Sequence, residues 1–451
     1  MRVKHRKRSR SVKLVADDDR LVSHSGLLVV EKVVERLGLE DELTEAVGLT
    51  FRSQPPGRTL VRLAQMLIAG GDCVRHLDAL RDQPALWAEQ RVAHPTTAWR
   101  LLAERLVGSE AVVAPQLGGI ADARRVVRER AWQAGLRPAS VTIDIDAHLI
   151  TSHSEQKEAA SKTYKRTFGH NPMLAYLAET NEALAGILRP GCGSPMDVSD
   201  QLEVVDLALE QLPDEVTPDQ VVIRADSAGY AKQMVAGLRE RGVGFVIGAT
   251  LTAPLRTTIS ELPDEAWQPI VEPAGTSRPD AWVAEAVWPA HQGWPADLRL
   301  VVRREVPHVG AQFTFTDQDG HRFQAAITNL PIEAALVERH HRSHAVVEDR
   351  IREARQLGLQ NLPFSSFHAN HAWLQVVLLA QDLSAWTQRL TRPEKTWMEP
   401  RTLRFSLIAV AGRLTSHARQ RILHLPSTWP WSEELIDAYR RASQISVPTP
   451  I

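Results

Sequence analysis

Apolar residues recur at three- and four-residue spacing through the first third of the chain. LLVVEKVVERLGL, TLVRLAQMLIAGG and AWRLLAERLVG each show it between about residues 21 and 135, with glycine or proline between them. That pattern predicts amphipathic helices, preceded by a tail over residues 1–20. In HPTTAWRLLAERL, Thr96 and Thr97 are candidate helix caps and Arg100 falls near the helix start. A recognition helix for DNA and an ordinary packed surface helix share that look.

At about residue 139 the period changes. SVTIDIDAHLI alternates apolar and polar residues, as a half-buried strand does. MLAYLAET and ALAGILRP are two further strands, separated by the turn residues Asn181 and Glu182. QLEVVDLALEQL reads as a helix, VVIRAD as a buried strand, YAKQMVAGLRERG as a helix and GVGFVIGA as a strand. Three strands, a helix, then strand–helix–strand is the order of a ribonuclease-H-like core. From about 250 to 325 the helical period disappears. Several prolines, Trp267, Trp282, Trp288 and Trp294, and short runs such as LRLVVRR and AQFTFTD mark a β-rich insertion. Helices resume in AALVERHHRSHAVVEDRIREARQLG, HAWLQVVLLAQDLSAWTQRL and RTLRFSLIAVAGRLTSHARQRIL.

The resulting organisation is a tail over 1–20, a helical region over 21–135 and core segments over 136–249 and 331–392. The insertion occupies 250–330, and further helices fill 393–451. A chain of 451 residues accommodates two to four domains, or one large domain carrying an insertion. No apolar run approaches the ~18 residues of a membrane span. The N-terminus is basic without an apolar segment behind it, unlike a secretory signal. Cys73 and Cys192 lie far apart, which fits a reducing compartment without disulfides. The expectation is a cytoplasmic protein. Net charge is −1, yet seven Lys or Arg fall within the first 13 positions. Such a run is a solvated tail or an arm that tracks phosphates.

Three acids carry the candidate chemistry. In DIDAHLI, strand geometry puts Asp144 and Asp146 on one face, opposite Ile143 and Ile145. An acid in a buried strand is costly unless it is paired or binds a metal. In VVIRADSAG a short apolar strand ends at Asp226, which is placed either to cap the following turn or to ligate. In HHRSHAVVEDRIREARQLG, Val347, Ile351 and Ala354 form an apolar stripe, and His344, Glu348, Arg352 and Arg355 the neighbouring polar one. That polar stripe suits either a salt-bridged surface or a metal ligand among phosphate-gripping cations. A zinc hydrolase built on the 17 histidines would need spacings such as HExxH or paired CxxC, and neither occurs.

Taken in order, these segments resemble the bacterial insertion-sequence 1380 group of DDE transposases. The likeness runs through DIDAHLITSHSEQKEAASKTYKRTFGHNPMLAYLAET, LRPGCGSPMDVSDQLEVVDLALEQLP, VVIRADSAG and VEDRIREARQLGLQNLPFSSFHANHAWLQVVLLAQDLSAW. TLVRLAQMLIAGGDCVRHLDALRDQPAL resembles the helical N-terminal region of the same group. The resemblance implies an α/β protein with a ribonuclease-H-like catalytic core and a β-rich insertion before the catalytic glutamate. It places a helical DNA-binding region ahead of the core and helices after it. It also implies metal-dependent cleavage and strand transfer at terminal inverted repeats, with Asp146, Asp226 and Glu348 as catalytic and metal-binding acids. Asp144 is the rival for the first position. Mg²⁺ is the implied cofactor, with Mn²⁺ as substitute, and the implied partners are double-stranded DNA and a second copy of the chain. Lys162, Lys165, Arg166, Arg342, His344 and Arg355 are the candidate DNA contacts, and an insertion tryptophan serves as core or as a stacking platform for an unpaired base. His148 departs from a usual Thr, and His341, His344, Glu348 and Arg355 stand where the wider superfamily has Tyr, Arg, Glu and Lys. A catalytically inactive, transposase-derived DNA binder is the alternative.

Overall fold

The computed structural model describes residues 12–447, apart from 51–53, 88–91, 108–114, 153, 155, 164, 273–275, 289–292, 308–309, 311, 313–316, 319 and 419. The basic cluster over residues 1–11 and most of AQFTFTD therefore lie outside the described residues.

Helices α1 (Leu27–Leu37), α2 (Leu39–Val47), α3 (Pro56–Ala69) and α4 (Pro115–Ala131) form the N-terminal layer. α1 buries Leu27, Val30, Val33, Val34 and Leu37, the residues its period put on one face. It ends at Gly38, whose φ of 70° suits glycine and lets its N–H bond the carbonyls of Val34 and Glu35. The segment after His94 forms a short helix over Pro95–Arg100. Its cap is His94, whose ring accepts the Thr96 N–H at 3.2 Å, rather than Thr96 or Thr97.

A ten-stranded mixed sheet organises the rest. Its first strands are β1 (Val141–Ala147), β2 (Met173–Leu177), β3 (Ala183–Ile187), β4 (Val221–Ala225) and β5 (Gly244–Ala249). β1 pairs antiparallel with β2, and β2 with β3, whereas β1, β4 and β5 run parallel. The crossovers are α5 (Val198–Leu209) and α6 (Lys232–Glu240). β1 is more enclosed than its alternation predicts: Thr142 and Asp144 are buried as well as Ile143 and Ile145. Helices cover both faces of the parallel part, so its polar positions are hidden too.

The strands between β5 and the last third do not stand apart as a separate sheet. After α7 (Ala253–Ser260), β6 (Gln268–Val271), β7 (Ser277–Ala286), β8 (Arg299–Glu305) and β9 (His321–Thr328) extend the same one, with β9 antiparallel to β5. Trp267 and Trp288 are buried there, and Trp282 and Trp294 pack partly against the core.

The long helical pattern after β9 breaks into α8 (Ala334–Ser343) and α9 (Val346–Ala354). α8 lies on β5, β7, β8 and β9, and α9 on β1, β2 and α10 (Phe367–Thr391). α10 is buried nearly all round. Its Asp382 accepts from Arg124 at 2.9 Å, Arg128 at 2.7 Å and the Ala183 N–H at 2.8 Å. Glu182, read from sequence as a turn residue, is fully buried and accepts from Arg128, Trp132, Trp386 and Thr180.

The helical reading of RTLRFSLIAVAGRLTSHARQRIL fails in its second half. Gly412–His417 and Gln420–His424 form a hairpin that pairs with Leu21–Val22 from the other end of the chain. A final helix, α11, follows over Ser432–Gln444.

Candidate active site

Period two along β1 puts Asp144 and Asp146 on one face, and their environments separate them. Asp144 is buried, and both its oxygens are engaged. Arg224 donates to Oδ1 from Nε at 2.7 Å and to Oδ2 from Nη2 at 2.6 Å, while His344 Nδ1 lies 2.8 Å from Oδ1. Arg224 sits opposite Asp144 in the parallel β1–β4 register, so the pairing follows from the strand alignment. A buried charge so matched is accounted for structurally.

Asp146 lies near the C-terminal end of β1, and its Oδ1 accepts the Ala147 N–H at 2.7 Å. Burial, the Asp226 carboxylate and the Glu348 carboxylate push its pKa up to about 6, against the Ala147 N–H bond and His344. Asp226 directly follows β4 and is exposed; it caps the turn Ser227–Gly229, Oδ1 accepting the Ala228 N–H at 2.8 Å. One oxygen of each aspartate is thus fixed by backbone, and each Oδ2 has no partner among the described residues. Cap and ligand are compatible roles for Asp226. Glu348 is exposed in the first turn of α9.

β1 and β4 are adjacent parallel strands, so Asp146 and Asp226 emerge at the same edge of the sheet. α9 packs against β1 and brings Glu348 to them. Like charges this close favour protonation or a shared cation. The ligand oxygens of the three acids do not all fall within 4.8 Å of one another; among the described residues, a carboxylate oxygen of Asp72, the Cys73 sulfur and a ring nitrogen of His76 do. That tighter group sits just beyond α3 and includes none of these three acids. A set of carboxylates open to water and substrate oxygens is the donor chemistry that suits Mg²⁺, so the residues present fit that ion.

A cavity of about 720 Å³ opens beside Asp226 and Ser227, with Arg303, Arg322, His341 and His344 on its walls. Burial, Arg303 and His344 hold the His341 pKa down to about 4. Gly248 forms the floor, where a Cβ would come within 3.0 Å of His341 Nε2 and 3.1 Å of the Ser227 nitrogen.

The candidate DNA contacts divide into two groups. Lys162, Lys165 and Arg166 are exposed on a small hairpin built on Ser161–Lys162 and Phe168–His170. Arg355 is exposed on the helical extension of α9. It and Lys165 help burial lower the His148 pKa to about 4, so both lie near that ring. Arg342 instead bonds Glu272 at 3.1 and 3.3 Å and Glu338 at 3.1 Å, and His344 is buried against Asp144. Sequence reasoning missed Arg224, although a lone arginine in the apolar run VVIRAD was a readable sign of a buried counter-charge. It also missed Arg303 and Arg322, whose strand positions gave no such sign.

The family model described as "Transposase DDE domain group 1" matches residues 4–447. A search of curated proteins returned no match. Among solved structures, a cryo-electron-microscopy piggyBac transposase synaptic complex with hairpin DNA superposes with a TM-score of 0.43 at 9% identity. The superposition covers 86% of this chain and 80% of that one, a likeness too low to bear on function.

Proposed function

The chain belongs to the transposase DDE domain family, group 1, and from that membership we propose that it is a DNA transposase. It binds the terminal inverted repeats of an insertion sequence and carries out metal-dependent strand cleavage and strand transfer. The observation that carries this reading is the placement of Asp146 and Asp226 at the ends of adjacent parallel strands, with α9 and its Glu348 packed against the first of them. The strand order β3–β2–β1–β4–β5, parallel only through β1, β4 and β5, supports a ribonuclease-H-like core. Within the family, the motif segments favour the insertion-sequence 1380 group.

Asp146, Asp226 and Glu348 would hold Mg²⁺, or Mn²⁺ in its place. When bound, the ions activate the attacking oxygen and neutralise charge at the scissile phosphate. Asp146 takes the first position because both oxygens of Asp144 are committed. The Ala147 and Ala228 N–H groups fix one oxygen of each aspartate and leave the other for a ligand. Lys162, Lys165, Arg166 and Arg355 grip the DNA backbone and carry no base information. Two copies of the chain act together on the paired ends.

The test is cleavage of labelled DNA bearing the element's own terminal repeats, in Mg²⁺ or EDTA, by wild type and Asp226→Asn. Mg²⁺-dependent nicking at the repeat boundary, lost in the variant while binding persists, is expected. Binding without cleavage under every divalent ion would identify an inactive DNA-binding derivative instead.

A further inference from the structure

Beneath the three acids lies a second set of three residues in matching positions. Asp144 precedes Asp146 by two residues along β1, and Arg224 precedes Asp226 by two along the β4 line. His344, in the turn that joins α8 to α9, precedes Glu348 by four. On the two strands the inner residue therefore shares a face with the acid that follows it, and at the turn His344 stands just ahead of the helix that carries Glu348. The outer acids are exposed or partly so, whereas Asp144, Arg224 and His344 are 2%, 5% and 7% exposed.

The inner three are bonded to one another and to the helix break. Asp144 takes both Arg224 nitrogens and the His344 ring. Arg224 also donates from Nη1 to the His340 carbonyl at 3.3 Å. Segment 340–344 is thus tied at two points to the strands that carry the two aspartates. Among the described residues, no hydrogen bond joins α9 itself to the sheet. It packs on β1 with Val347 and Ile351 buried, and these polar ties fix the turn from which it starts.

We propose that Asp144, Arg224 and His344 form a positioning layer that sets Glu348 against Asp146 and Asp226 for metal binding. This rests on the metal-binding reading above. His344 acts through Asp144, as an orienting partner, and not as a DNA contact.

The experiment measures Mn²⁺ binding to the full-length protein by electron paramagnetic resonance, alongside affinity for terminal-repeat DNA in EDTA. The variants are His344→Leu, His344→Asn, Asp144→Asn and Asp226→Asn. Asparagine at 344 keeps an N–H donor near the place of Nδ1, and leucine keeps only bulk. Loss of an orienting partner weakens metal affinity ~10–100-fold. His344→Leu and Asp144→Asn are expected to show that loss with DNA affinity unchanged, and His344→Asn to stay within about threefold of wild type. Equal Mn²⁺ affinity in wild type and His344→Leu, with weaker DNA binding, would overturn the proposal and make His344 a DNA contact. Equal losses in His344→Leu and His344→Asn would overturn it as well, since the bond to Asp144 would not matter. Wild type binding Mn²⁺ no better than Asp226→Asn would remove the metal-binding reading itself. Should His344→Leu fail to fold by circular dichroism, the nearly isosteric Asp144→Asn decides with the same measurements.

Discussion

Replacing Asp146 by asparagine should stabilise the metal-free protein while abolishing cleavage. The side chain's pKa rises from 3.8 to about 6 through burial and two neighbouring carboxylates. Such a rise opposes the ionised form by roughly 3 kcal/mol, at 1.36 kcal/mol per pH unit. A raised folded-state pKa gives stability that is fully present below the unfolded value of 3.8 and lost as pH climbs through about 6. Asparagine stays neutral throughout and can still accept the Ala147 N–H. Its advantage over wild type should be small near pH 4, grow between pH 4 and 6, and level off at about 1–3 kcal/mol above pH 7. Urea denaturation in EDTA at pH 4, 5, 6 and 8 reads this directly, with the m-value as a check that one transition is compared. Added Mg²⁺ at pH 8 should then stabilise wild type by about 2.7 kcal/mol at a hundredfold excess over Kd, and leave the variant unmoved. A variant less stable than wild type at pH 8, or a gain independent of pH, would refute the crowding of these carboxylates.

Three further outcomes follow from packing and charge. Asp382→Ala leaves Arg124 a buried cation without its carboxylate and Arg128 with Glu182 alone, and should cost about 3–5 kcal/mol in chemical denaturation. Gly248→Ala sets a Cβ within 3.2 Å of the Asp226 backbone carbon as well as against His341, and should cut cleavage roughly tenfold or more while DNA affinity holds. Alanine at Lys162 or Arg166 should weaken binding to all DNA sequences alike, each lowering the slope of log K against log salt by about 1, read by fluorescence anisotropy.

The elements that were legible in sequence are those whose burial is one-sided or local. α1 shows one apolar stripe, and β2 and β3 are short apolar runs joined by a tight turn at Asn181, with φ of 67°. The hairpin over 412–424 was not legible, because Leu414, Ile422 and Leu423 also fit helical spacing and its partner strand Leu21–Val22 comes from the opposite terminus. Charged groups misled in a regular way. Glu182 and Arg224 read as a turn residue and an unremarked strand residue, and both are buried counter-ions whose partners lie far along the chain. Pattern reports which face a residue occupies, but not whether a distant charge meets it there. By pattern alone Asp144 and Asp146 were therefore indistinguishable, the resemblance favoured Asp146, and the β1–β4 register sets Arg224 against Asp144.

The packing of the two helices explains why the predicted long helix breaks before Glu348. The added strands β6–β9 widen the sheet beyond β5, and α8 covers them, with Arg303 and Arg342 both on Glu338 and Arg342 reaching Glu272 just past β6. A straight continuation of α8 would carry Glu348 onward with that helix, which is packed on β5 and the added strands rather than on the strand bearing Asp146. The turn at His344–Ala345 redirects the chain onto β1 and β2, and the His344 bond to Asp144 anchors it where the direction changes. The added strands thus bear on the acidic site through the helix that covers them. Their packing and the bonds of Arg342 help set where α9 begins, two residues before Glu348.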